Sequence, residues 1–145
     1  MEYSSKTISY ALIKTIAQTG KNDLEKFLVQ QNIIQFELML LVRLRSTIPD
    51  KDFLGWLEDR TLGQLIHLYK ICVATKEEVP IINLLKKYNQ KRNYLVHNIL
   101  KDCDYKKLKS EVKIANKKGL EIIKYLEKLT AEELSRLKQL ITKGK

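Results

Sequence analysis

Five glycines and two prolines in 145 residues leave this chain almost without chain breakers. A many-stranded β fold needs turn residues every ~8–12 positions, and this supply is too thin to provide them. Apolar residues instead recur at steps of three and four, the period of a helix with one buried face. The pattern predicts an all-α fold, an up-and-down bundle of five to six helices. At 145 residues, 44% hydrophobic and 30% charged, the chain suits one globular domain, 1–145, with its core bundle at about 20–130.

Local signals place the helices. The first is expected at about Ser5 to Gln18, with Ile8, Leu12 and Ile16 on one face and Gly20 as its stop. A long second helix is expected from about Asp23 to Arg45, with Leu24, Phe27, Leu28, Ile34, Leu38, Leu41 and Val42 as its apolar stripe. Ser46 to Asp50, with Pro49, breaks it. Phe53 to Glu58 reads as a short helix whose Trp56 plugs the core. Thr61-Leu62-Gly63-Gln64 has the form of a capping box. It opens a helix to about Val73, with Leu62, Leu65, Ile66, Tyr69 and Cys72 inward. Pro80 suits the first turn of a helix running to Lys101. Asp104 is placed to cap a basic helix to about Leu129, and Thr130-Ala131-Glu132-Glu133 reads as a second capping box opening a short final helix.

The charge balance narrows the partners. Net charge is +10, and the excess is spread: residues 1–100 carry 14 basic and 10 acidic side chains, and 101–145 carry 13 and 7. A basic surface of this kind attracts polyanions and speeds encounter with them. No apolar run approaches the ~18–20 residues of a membrane span, and the opening residues lack a secretory pattern. A cytoplasmic protein without membrane association is therefore expected. Cys72 and Cys103 have no metal spacing and form no CxxC pair, so both are expected to be reduced and partly buried. There is no Gly-rich phosphate loop, zinc pattern or Ser/His/Asp arrangement, and neither a metal nor a cofactor is expected.

The densest chemistry lies in Arg92-Asn93-Tyr94-Leu95-Val96-His97. A guanidinium binds phosphate oxygens through a planar fork of donors, and a neutral imidazole accepts a proton near pH 7. On a helix Asn93 and His97, four apart, share a face. Arg92 lies five residues before His97, roughly 140° around and about 7.5 Å along the axis. One helix alone makes a loose site; two copies about a twofold axis would gather two Arg and two His in one cleft. His67 is expected at the edge of the core. Tyr88, Tyr94 and Tyr105 suit either base stacking or core packing. Lys106, Lys107, Lys109 and Lys113 form a basic cluster, either a solvated face or a guide for an RNA backbone.

The Arg-Asn-x-x-x-His run, late in a long helix of a basic helical domain, resembles the signature of the HEPN superfamily. The segment Thr61 to Ile66, TLGQLI, is similar to bacterial members of that group. The resemblance implies a small dimeric helical bundle and, in many members, a metal-independent endoribonuclease of toxin–antitoxin or phage-defence systems. It implies Arg92, Asn93 and His97 as active positions, RNA as substrate, a homodimer, and an antitoxin protein as a possible partner. The alternative is a catalytically silent helical module that dimerises or binds RNA or a partner. Duplex DNA binding is a third reading, with less support.

Overall fold

The computed structural model describes residues 23–46, 51–99 and 105–144. These contain five α-helices: α1 (Asp23–Arg45), α2 (Lys51–Glu58), α3 (Leu62–Leu68), α4 (Val79–Ile99) and α5 (Tyr105–Lys143). A π turn (Tyr69–Val73) extends α3, and a 3₁₀ turn (Lys76–Glu78) leads into α4. No strand occurs among the described residues, so the all-α expectation holds. The helix expected at Ser5 to Gln18, the break at 47–50 and the cap at Asp104 lie outside them.

The centre of the molecule is the seam between α1 and α5. In α5 Val112, Ala115, Gly119, Ile122, Leu126, Leu129 and Glu133 are buried at alternating steps of three and four, and Asn116, Ile123 and Thr130 are buried beside them. The buried stripe is therefore wider than a coiled-coil seam and serves both α1 and α4. In α1 the matching positions are Phe27, Gln30, Gln31, Ile34, Leu38 and Leu41. Three polar contacts set the relative direction of the two helices. Asn116 Nδ2 donates to Asp23 O at 2.8 Å, Gln30 Nε2 donates to Asn116 O at 3.1 Å, and Thr130 Oγ1 donates to Glu37 Oε2 at 3.0 Å. Higher residue numbers in α1 thus meet higher numbers in α5, and the pair runs parallel. α4 lies antiparallel to α5, with Lys91 Nζ 3.9 Å from Glu111 Oε1 and Tyr88 beside Gly119. A Cβ on Gly119 would press on Gln30, within 3.1 Å of its Cδ, and come 3.2 Å from Tyr88 Cε2, so three helices converge closely there and a larger residue forces Gln30 and Tyr88 to shift. The core is completed by Leu57 of α2, Leu62, Leu65 and Ile66 of α3, and Ile81, Leu85 and Leu95 of α4.

By length and composition α1 is apolar enough to cross a bilayer, with a mean hydropathy of 1.2 over its most apolar window, half of which is buried within the fold. Gln30, Gln31 and Glu37 are buried on this same helix.

A charged cluster ties α1 to the connection between α3 and α4. Glu78, 4% exposed, accepts from Arg45 Nη1 at 2.6 Å, from Arg45 Nη2 at 2.8 Å and from the Tyr69 hydroxyl. Arg45 also meets Val73 O at 3.3 Å and Glu133 Oε2 at 3.4 Å. Burial pushes the Glu78 carboxyl upward, but the Arg45 and Tyr69 hydrogen bonds outweigh it and hold the group below the usual carboxylate range. Burial, then the bond to Glu78, raises the Tyr69 phenol well above its ordinary value.

Four expectations are corrected. Trp56 does not plug the core: it is 43% exposed, stacked on Phe53 and covered by the Arg60 guanidinium at 4.6 Å, while neighbouring Leu57 is fully buried. Leu28 is 48% exposed because it lies about 100° from Phe27, outside the arc that Ile33, Ile34 and Leu38 fill. The helix opened by Thr61 does not stay α to Val73. Its capping box forms, with Gln64 N on Thr61 Oγ1 at 3.2 Å and Thr61 N on Gln64 Oε1 at 2.9 Å. At Tyr69 it widens into the π turn, closed by Ala74 N to Tyr69 O at 2.8 Å, and the changed register leaves Cys72 exposed rather than inward. Finally, Thr130 starts no helix. α5 runs unbroken through it, because Thr130 and Glu133 fall on the buried seam and pair with Glu37 and Arg45 instead of with each other.

Candidate functional site

α4 carries the Arg92 to His97 run and starts where Pro80 sits in its first turn, a position that tolerates a missing N–H. Ile81, Leu85, Tyr88 and Leu95 bury one side of the helix. The opposite side carries Lys86, Gln90, Asn93 and His97, all exposed, at steps of four, three and four. Three of these, Lys86, Asn93 and His97, fall within about 20° of one line along the helix. The imidazole thus faces solvent on the same face as the Asn93 amide.

Arg92 lies off that face, about 100° from Asn93 and 140° from His97 around the helix; it is half-buried and held from two sides. Its Nε donates to Gln31 Oε1 of α1 at 2.7 Å, and its Nη1 donates to Asn93 Oδ1 at 3.1 Å. The part-buried bond to Gln31 is of a charged kind that contributes about 1.5–3 kcal/mol, and the exposed bond to Asn93 contributes less. The fork is therefore aimed rather than free to swing. Among the described residues its Nη2 has no partner, which leaves donors for a phosphate oxygen. Asn93 uses its carbonyl to steady Arg92, so its amide N–H groups can serve a ligand. No direct contact joins Arg92 to His97 within the chain, in keeping with their separation around the helix.

The other residues singled out from sequence are scattered. Lys107, Lys109 and Lys113 are exposed on α5, while the side chain of Lys106 lies outside the described residues, as does that of Tyr105. Tyr88 is core: 2% exposed, 6.1 Å from the Phe27 ring, its phenol raised by burial. Tyr94 is 45% exposed, with the Lys91 ammonium 5.5 Å over its ring. His67 is exposed rather than tucked at the core's edge.

Two basic grooves flank α4 that the sequence did not reveal. One, about 240 Å³, lies against α3 and the π turn and includes His67, Lys70, Lys86, Asn89 and Gln90. The other, also about 240 Å³, lies against α5 and includes Lys87, Lys91, Ile114 and Lys118. Gln31, which aims Arg92, was likewise missed. The one available signal was a Gln-Gln pair interrupting the apolar stripe of α1. Among the described residues no group of three or more His, Cys, Asp or Glu is placed to hold a metal ion.

Comparison with protein families, with curated proteins and with solved structures finds no match to this chain.

Proposed function

We propose that the chain is a HEPN-like helical endoribonuclease, an up-and-down bundle that works as a homodimer and cleaves RNA without a metal. The observation that carries this reading is one arrangement on α4. An exposed imidazole at His97 shares a face with Asn93, and a guanidinium at Arg92 is fixed beside it by Gln31 with donors to spare. A buried His97 would have excluded it.

In this scheme His97 takes the proton from a ribose 2′-OH, and the 2′ oxygen attacks the adjacent phosphorus. Arg92 neutralises the charge that grows on the phosphoryl oxygens. Asn93 holds Arg92 through its carbonyl and offers its N–H groups to a phosphate oxygen. The His97 of a second copy protonates the departing 5′ oxygen. Products carry a 2′,3′-cyclic phosphate and a 5′-hydroxyl, and DNA, lacking the 2′-OH, is inert. The biological setting that fits is a toxin or phage-defence effector of the cytoplasm, held in check by an antitoxin protein. Lys107, Lys109 and Lys113, exposed near the start of α5, add attraction for the RNA backbone.

The test is incubation of the purified chain with end-labelled RNA in EDTA, followed by mass spectrometry of the ends. Cyclic phosphate ends, absent with Arg92→Ala and with His97→Ala, are expected. Intact RNA, or 3′-hydroxyl and 5′-phosphate ends, defeats the reading, and intact RNA leaves the catalytically silent module in its place.

A further inference from the structure

The groove between α3, the π turn and α4 concentrates positive charge with no answering carboxylate. Lys70 comes from the π turn and Lys86 from α4, sixteen residues apart in sequence, yet both line the same groove of about 240 Å³. Among the described residues neither joins an ion pair. The neighbouring Lys70 side chain and its like charge hold Lys86 below the usual lysine range. Two cations brought together this way repel each other, and an anion between them would relieve the repulsion. His67 and Gln90 line the same groove and supply further polar contacts.

Local structure builds the groove rather than leaving it to chance. The π turn adds a residue to the helical register at the position that carries Lys70, and such insertions recur at functional sites. Gly63 of α3 lets the Asn89 amide approach: a Cβ there would sit 3.2 Å from Asn89 Nδ2. The Asn89 Oδ1 is buried and accepts no hydrogen bond.

The groove is also in line with the proposed cleavage site. Lys86 and His97 are eleven residues apart on α4, about 20° around the helix and about 16 Å along it. We propose that the α3–α4 groove is a phosphate subsite that takes a backbone phosphate of the RNA strand a few nucleotides from the linkage at His97. Lys70 and Lys86 grip the phosphate, and His67 and Gln90 supply further polar contacts. The identity of the strand rests on the ribonuclease reading.

The experiment measures binding of a fluorescent 2′-O-methyl oligonucleotide, which cannot be cleaved by 2′-OH attack, across a salt series. The chains compared are wild type, Lys70→Gln/Lys86→Gln, and the charge-matched control Lys124→Gln/Lys128→Gln on exposed positions of α5. Far-UV circular dichroism confirms that each is folded. The groove pair is expected to weaken binding tenfold or more and to reduce the salt slope by about 0.7, the value for one single-strand phosphate. The control pair is expected to change affinity less than twofold. Equal losses in the two pairs, no loss in the groove pair, or no binding by wild type overturns the subsite. Because the probe needs no cleavage, the two ideas fail separately. A chain that binds through the groove yet leaves RNA intact upholds the subsite and removes the nuclease.

Discussion

Replacing Glu78 with alanine should be among the most damaging single changes available outside the apolar core. Glu78 is 4% exposed and accepts three hydrogen bonds, two from Arg45 at 2.6 and 2.8 Å and one from the Tyr69 hydroxyl. Its removal strands the Arg45 guanidinium, whose side chain is 13% exposed, with only the longer contacts to Val73 O at 3.3 Å and Glu133 at 3.4 Å among the described residues. Breaking a buried pair from one side costs about 3–5 kcal/mol, a large share of the 5–15 kcal/mol that holds a typical domain together. With a urea dependence of about 2 kcal/mol per molar, a 4 kcal/mol loss lowers the unfolding midpoint by about 2 M. Arg45→Met/Glu78→Leu removes both charges together and should cost less than Glu78→Ala alone, since no orphaned cation remains.

The pH dependence carries a definite sign. The Glu78 carboxyl is held below its ordinary value in the folded chain, because the Arg45 and Tyr69 bonds exceed the opposing effect of burial. Its contribution is therefore complete above the unfolded carboxylate value, about 4.3, and disappears as pH falls through the lower folded value. Urea midpoints followed by circular dichroism from pH 7 to pH 3 should show a steeper acid decline in wild type than in Glu78→Ala. A loss under 1 kcal/mol at pH 7, or a double variant whose cost equals the sum of the singles, would contradict the reasoning.

Other outcomes follow from particular contacts. Ala131→Pro should cost about 3 kcal/mol or more, because α5 is continuous there; a neutral result in the same urea assay would mean a helix begins at that point. Gly119→Val should destabilise the fold by about 1–3 kcal/mol through collision with Gln30 and Tyr88, and an unchanged melting temperature would count against the close approach of α1, α4 and α5. In a Cys103→Ser background, Cys72 should react with a thiol reagent within minutes in the native state, since it is exposed; protection until unfolding would contradict the π turn. His97→Ala should leave stability within about 0.5 kcal/mol of wild type, separating any loss of RNA cleavage from loss of folding.

The bounds of α1 were legible because Asp23 and Arg45 stand at the ends of an apolar stripe with charges that suit each end of the helix dipole. The Thr61 capping box was legible for the same kind of reason: both partners lie within four residues. Thr130 to Glu133 carries a like pattern and misleads. What distinguishes it is that Thr130 and Glu133 continue the three-and-four spacing from Leu126 and Leu129, and burial on a seam overrides a local cap. Trp56 misleads because size alone does not decide burial; the short α2 turns Leu57 inward and has no second face to hide. At the candidate site, Arg92, Asn93 and His97 are neighbours in sequence and could be read as a group. The Gln31–Arg92 bond and the groove shared by Lys70 and Lys86 join segments that only folding brings together, so no local pattern announces them.

The amides buried between α1 and α5 act as a detent against sliding. Moving α1 one helical turn, about 5.4 Å, along α5 would separate Gln30 from the Asn116 carbonyl and Asn116 from Asp23, leaving polar groups stranded in an apolar layer. Gln31 follows Gln30 on the same rod, so the latch that stops the slide also sets where Gln31 stands. The aim of the Arg92 fork, on a third helix, is thereby indexed to a contact made by its neighbour in the chain.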